Sequence, residues 1–185
     1  MLDSIKTEAR QHMGRCLDDL KRNLSQIRTG KASPALLDGI QAEAYGQKMP
    51  INQLATLASP EPRLLTITPF DASQIGAIEK AILASDLGIT PTNDGTIIRL
   101  PIPPLNEERR KDFVKMAKQR GEEAKVAIRG ARRDANDQLK KAQSDGDITE
   151  DEKHRGENEI QKLTDDHVKK VDEILEAKEK EIMEV

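Results

Sequence analysis

The chain has 185 residues, a net charge of −3, 34% charged residues and only 2% aromatics. Its single cysteine, Cys16, excludes an internal disulfide, and no apolar run approaches the roughly 18 residues of a membrane span. A disulfide-stapled secreted domain and a core built on aromatic rings are thereby set aside, and a cytoplasmic protein made of long exposed helices is expected.

The N-terminal stretch predicts one helix. Leu2, Ile5, Ala9, Met13, Cys16, Leu20, Leu24 and Ile27 recur at spacings of three and four, which lines one face at about 3.6 residues per turn. Asp3 and Ser4 can cap its start, Gly30 suits a C-terminal position of positive φ, and Pro34 blocks resumption, so the helix is expected to end near Thr29. This periodicity also sets aside disorder, the competing reading of a charged, aromatic-poor chain.

From Ser33 to Pro104 the pattern changes to short β-branched or apolar stretches, Ile40 to Tyr45, Leu54 to Ala58, Leu64 to Thr68 and Thr96 to Ile102, separated by Pro and Gly. Asn93-Asp94-Gly95 is a turn feeding the last of them. One helix, Ser73 to Ser85, interrupts the series, with Ile75, Ile78, Ala81 and Ile82 on one side.

A second long helix opens after Leu105, with Asn106 as N-cap and Glu107 and Glu108 at the positive end of its dipole. Val114, Ala117, Gly121, Ala124, Ile128, Ala131, Ala135 and Leu139 form its apolar stripe, which breaks near Gly146. A third helix starts at Thr149, which with Glu152 makes a capping box, and Ile160, Leu163, His167, Val171, Ile174, Lys178 and Ile182 carry its stripe. Three amphipathic helices must pack together, so the expected class is α+β. Residues 1–30 plus 105–185 would form a long antiparallel three-helix bundle, and residues 31–104 an inserted small β/α/β domain. The insertion hangs on two neighbouring linkers, which make a natural hinge.

Catalytic patterns are poor. His12, His154 and His167 have no partner at metal-ligand spacing, and His167 and Cys16 sit on apolar stripes. Gly30-Lys31 resembles the end of a phosphate loop, but Ser25 stands where its first Gly belongs and Ala32 where a Ser or Thr should bind magnesium. No cofactor or metal is expected, and the enzyme reading is the weakest.

The charge distribution is more telling. Residues 106–141 carry a net charge of +5 and residues 142–185 a net of −8. On a helical wheel Lys111, Lys115, Lys118, Lys125, Arg129, Arg132, Arg133 and Lys140 fall within about 100° of one another, while Asp112, Glu123, Asp134 and Asp137 project elsewhere. Glu107, Glu108 and Glu122 do not. Arg129, Arg132 and Arg133 stand at i, i+3 and i+4, so three guanidinium forks can converge on neighbouring phosphates. The bland alternative is a solvated face paired with the acidic third helix, which would suit a coiled-coil adaptor for protein partners. No stacking aromatics accompany the stripe, so the RNA it fits is folded and read by shape and phosphate.

The stretch Ile27-Arg28-Thr29-Gly30-Lys31-Ala32-Ser33-Pro34-Ala35-Leu36-Leu37-Asp38 closely resembles the first-helix exit of the ribosome recycling factor family. The run Ile102-Pro103-Pro104-Leu105-Asn106-Glu107-Glu108-Arg109-Arg110-Lys111 resembles the start of its second helix. Arg132-Arg133-Asp134-Ala135-Asn136-Asp137 and Lys162-Leu163-Thr164-Asp165 are similar to its later signatures. Lys31, Asn106 and the less apolar Gln41 to Tyr45 are mild departures.

The resemblance implies a three-helix bundle with an inserted β/α/β domain, L-shaped and similar in outline to transfer RNA. It implies a monomer that binds the post-termination ribosome. With elongation factor G, and GTP hydrolysis by that partner, it would separate the subunits and release mRNA and tRNA. By residue match, Arg110, Arg129, Arg132 and Arg133, with Arg28, would contact large-subunit ribosomal RNA. Gly30, Lys31, Pro103 and Pro104 would form the hinge.

Overall fold

A computed structural model describes residues 1–184. In chain order the elements are α1 (Leu2–Ser25), β1 (Gln41–Ala44), β2 (Gln47–Pro50), the one-turn α2 (Ile51–Leu54), β3 (Ala55–Glu61), β4 (Leu64–Pro69), α3 (Ile75–Ala84), β5 (Thr92–Asn93), β6 (Ile98–Pro101), α4 (Glu107–Ser144) and α5 (Glu150–Met183). Short 3-10 turns occupy Pro34–Leu37 and Ala72–Gln74. The chain divides into two compact units, residues 1–24 with 114–185 and residues 25–113.

The first unit is helical. The expected stripes face inward: Ile5, Ala9, Met13, Cys16, Leu20 and Leu24 of α1 are all buried, as are Ala117, Gly121, Ala124, Ile128, Ala131, Ala135 and Leu139 of α4. Ile5 and Ala9 pack with Ala135, Leu139 and Ala142 of α4, Ile148 of the connecting loop and Ile160 of α5. The α4 seam is lined by small residues so that backbones can approach closely. A Cβ on Gly121 would lie 2.2 Å from Leu175 Cδ1, nearer than van der Waals contact allows. In α5 the expected Ile160, His167, Val171 and Ile182 are buried, whereas Leu163, Ile174 and Lys178 are only partly so and Thr164 and Leu175, each one position on from an expected residue, are buried instead. Thr164 tolerates this burial because its hydroxyl donates to Ile160 O at 2.8 Å. Capping follows the sequence, with the Thr149–Glu152 box complete and Gly146, at φ 79°, allowing the sharp turn between α4 and α5.

α1 ends at Ser25, short of the expected Thr29. Beyond it the chain joins the second unit, where Ile27 is buried and Arg28 Nη2 donates to Pro103 O at 3.2 Å. These contacts outweigh one more helical turn, which would have to hold β-branched Ile27 and Thr29 and finish at Gly30.

In the second unit an antiparallel sheet runs β3-β4-β6-β5, and β1 and β2 form a separate hairpin. Leu65, Ile67, Ile98 and Leu100 point from alternate sheet positions into a core shared with Ile78 and Ile82 of α3. Several boundaries differ from expectation, β3 for instance running on to Glu61, and three of the differences concern where an element starts. The β6 strand starts at Ile98 and not Thr96, because the Asp94 carboxylate accepts the Thr96 and Ile97 amides at 3.0 and 2.9 Å and withdraws them from the ladder. Leu54 belongs to the one-turn α2, so β3 begins at Ala55. Asp71, accepting from Ser73 N at 3.0 Å, opens a 3-10 turn that delays α3 to Ile75.

Candidate nucleic-acid interface

The expected cationic stripe lies along α4, and the structure divides it. At Lys125 the acidic third helix takes the charge: Nζ sits 2.6 Å from Asp172 Oδ1 and 3.7 Å from Glu122 Oε1. One turn later the arrangement is different. Arg129 and Arg133 are exposed, and neither has an ion-pair or hydrogen-bonding partner among the described residues. Arg132, half-buried between them, donates Nη1 to Gln161 Oε1 of α5 at 3.1 Å, and Gln161 Nε2 donates to Asp165 Oδ1 at 2.8 Å. Lys115, Lys118 and Lys140 are exposed and likewise unpaired, whereas Lys111 lies 3.6 Å from Glu107 Oε1. The bland reading of the stripe therefore describes Lys125, and the three-arginine cluster remains open to an anion.

Arg28 and Arg110 belong to the other unit. The Nε atoms of both are buried and lack an acceptor. Burial, with the Arg109 charge nearby, pulls the Arg28 guanidinium below its ordinary pKa. Arg110 lies in the first turn of α4, which Asn106 caps by accepting from Arg109 N at 2.7 Å.

The four linker positions lie within the second unit too. Gly30 has φ 82°, and a Cβ there would sit 3.7 Å from Leu105 Cγ. Lys31, Pro103 and Pro104 are exposed. Next to them, Ala32 N donates to Pro62 O at 2.7 Å and Ile102 N to Arg63 O at 2.8 Å, so both linkers are tied to the single turn between β3 and β4.

The remaining polar candidates are spoken for. His167 is buried with Nδ1 2.6 Å from Leu163 O, and burial pushes the Cys16 thiol pKa up, away from the thiolate. Among the described residues no three His, Cys, Asp or Glu side chains gather to hold a metal ion, and no helix is long and apolar enough to cross a membrane.

Sequence reasoning missed Gln161 as the partner of Arg132. Periodicity along α5 says which residues face outward, but not which one lies opposite a given α4 side chain. It also missed the exposed rings of Tyr45 and Phe70. The Tyr45 hydroxyl donates to Asp71 Oδ2 at 2.8 Å, and Tyr45 adopts φ 53°, with Gly46 at φ 77°, in the turn between β1 and β2.

Comparison with known proteins gives a consistent result. A family model described as ribosome recycling factor matches residues 20–183. The ribosome-recycling factor of Carboxydothermus hydrogenoformans is 56% identical over 185 residues, covering 100% of both chains, and that of Halalkalibacterium halodurans is 55% identical with the same coverage. A solution structure of a ribosome recycling factor is 40% identical, covers 100% of this chain and 98% of that one, and superposes with a TM-score of 0.79. The Thermus thermophilus ribosome recycling factor, described with Escherichia coli elongation factor G on the post-termination complex, is 47% identical, covers 100% of both chains and has a TM-score of 0.68.

Proposed function

The chain belongs to the ribosome recycling factor family, and from that premise we propose how its own residues serve the recycling reaction. It binds the post-termination ribosome and acts with elongation factor G, whose GTP hydrolysis supplies the free energy. The subunits separate, and mRNA and tRNA leave. The chain contributes shape, charge and stiffness, not a chemical step, and it works in the cytoplasm as a monomer.

One observation carries the assignment of the contact residues. Arg129 and Arg133 stand exposed and without a partner among the described residues on either side of Arg132, on a helix whose neighbouring Lys125 is already held by Asp172. Guanidinium forks left without carboxylates are free to engage phosphates of large-subunit ribosomal RNA, and the affinity should then fall steeply with salt through counterion release. Arg110, in the first turn of α4, and Arg28, past the end of α1, are assigned to ribosomal RNA by their residue match with the family.

The division of labour assigns residues 1–30 and 105–185 to RNA binding and residues 31–104 to the encounter with elongation factor G. Gly30, Lys31, Pro103 and Pro104 are the hinge. Support comes from the positive φ of Gly30 and from prolines that stiffen the second crossing.

The test is splitting of model post-termination ribosomes, followed by light scattering, with this chain, elongation factor G and GTP added separately and together. Dissociation only with all three is the expected result. Intact ribosomes in the full mixture, despite bound chain, would overturn the recycling role. In parallel, Arg132→Ala should weaken binding to isolated large subunits and leave the melting curve unchanged. Parental affinity of that variant would remove the arginine assignment.

A further inference from the structure

Resting on the arginine reading above, we propose that Gln161 and Asp165 are positioning residues for Arg132, fixing its guanidinium in place without neutralising it. Three observations support this. Arg132 is the only one of the three clustered arginines that is held, and what holds it is a neutral amide oxygen, Gln161 Oε1, at 3.1 Å. The amide is itself fixed, because its Nε2 donates to Asp165 Oδ1 at 2.8 Å, one turn further along α5. The α5 backbone beneath is anchored by side chains that face the core, Ile160 and Thr164, so Gln161 and Asp165 project from a rigid support.

The chemistry of the intermediary matters. Lys125 meets the Asp172 carboxylate directly and surrenders its charge within the protein. Arg132 sees its nearest hydrogen-bonded carboxylate only through an uncharged amide. One of its five N–H donors is used for orientation, and its full charge and remaining donors stay available to a phosphate. Holding a long side chain in its binding rotamer beforehand removes an entropic cost from association, worth about two- to tenfold in affinity. The same contact links two sequence signatures that lie far apart in the chain, Arg132 to Asp137 and Lys162 to Asp165, and gives the second a role in the first.

The experiment titrates isolated large subunits with the full-length chain and its variants at several salt concentrations, and records a melting curve for each. Gln161→Ala should weaken binding about two- to tenfold with unchanged melting. Gln161→Glu should weaken it further and reduce the slope of log K against log salt by about one, because a carboxylate would then pair with Arg132 and remove one phosphate contact. A merely structural surface contact predicts the opposite for Gln161→Glu, a gained ion pair and undiminished binding. In an Arg132→Ala background, Gln161→Ala should add nothing. Parental affinity of Gln161→Ala, an equal loss with and without Arg132, or tight binding by Gln161→Glu would each overturn the proposal. If Arg132→Ala binds like the parent, the arginine reading falls and takes this inference with it. If Arg132→Ala is weakened and Gln161→Ala is not, only the positioning role is lost.

Discussion

Lys125 and Arg129 stand about one turn apart on α4, yet they face different chemistry. The Lys125 ammonium is held by Asp172 across the helix pair, while the guanidiniums of Arg129 and Arg133 meet no carboxylate among the described residues. A cationic stripe read from a helical wheel thus holds two kinds of position: Lys125, paired with an acidic neighbour, and the arginines beyond it, two of which have no internal partner among the described residues. Charge on a single helix cannot distinguish them. The distinction is made by which α5 side chain lies opposite, Asp172 for Lys125 and Gln161 for Arg132.

The comparison can be broken most directly at the open end. Arg129→Ala with Arg133→Ala should weaken large-subunit binding about 10- to 100-fold, since two charge-assisted contacts are lost, and should lower the salt slope by about two in a titration series. Retention of parental affinity and slope by the double variant would return the whole stripe to the solvated-face reading. The seam offers the next largest effect. Gly121→Ala puts a methyl within 2.2 Å of Leu175 Cδ1, so the helices must part or Leu175 must find another rotamer. We expect a loss of about 1–3 kcal/mol, read from denaturant unfolding. At the paired position, Lys125→Ala should change large-subunit affinity by less than about threefold, because that charge is already compensated by Asp172. A loss as large as that of the arginine pair would erase the distinction.

The smallest effect concerns acid stability in the second unit. Four donors, led by the Ile97 and Thr96 amides, hold the Asp94 carboxyl far below the ordinary carboxylate value of 3.8. A depressed folded-state pKa contributes stability that is present above the unfolded value and is lost as pH falls through the folded one. Asp94→Asn should therefore narrow the gap between melting temperatures at pH 7 and pH 3, as followed by circular dichroism. A variant with the parental acid dependence would show that these hydrogen bonds do not matter at equilibrium.

Much of the molecule could be read from the chain because its determinants are local. Asn106 and the Thr149–Glu152 box cap the helices that the sequence assigns them, and the Ala117-to-Leu139 stripe is the one that packs. What escaped is what depends on a second element. The β2 strand has no alternation, only Gln-Lys-Met-Pro, and exists because Tyr45 and Gly46 both take positive φ and fold it back on β1. Two-residue β5 lies against β6 beyond a turn that Asp94 organises. The last turn of α1 yields to contacts of Ile27 and Arg28 with residues remote in sequence. For the candidate site, the arginines were legible as a cluster at i, i+3 and i+4, while Gln161, on another helix, was not.

The packing of Ile5 against Leu139 and Ile160 has a consequence for how this protein is made. The α4–α5 hairpin closes over a few residues, but α1 cannot dock until both have been synthesised. At roughly 5–20 residues per second, α1 waits on the order of ten to thirty seconds for the side chains that will cover it. Through that interval Leu17, Leu20 and Leu24, all buried in the finished unit, have no partner from α4 or α5.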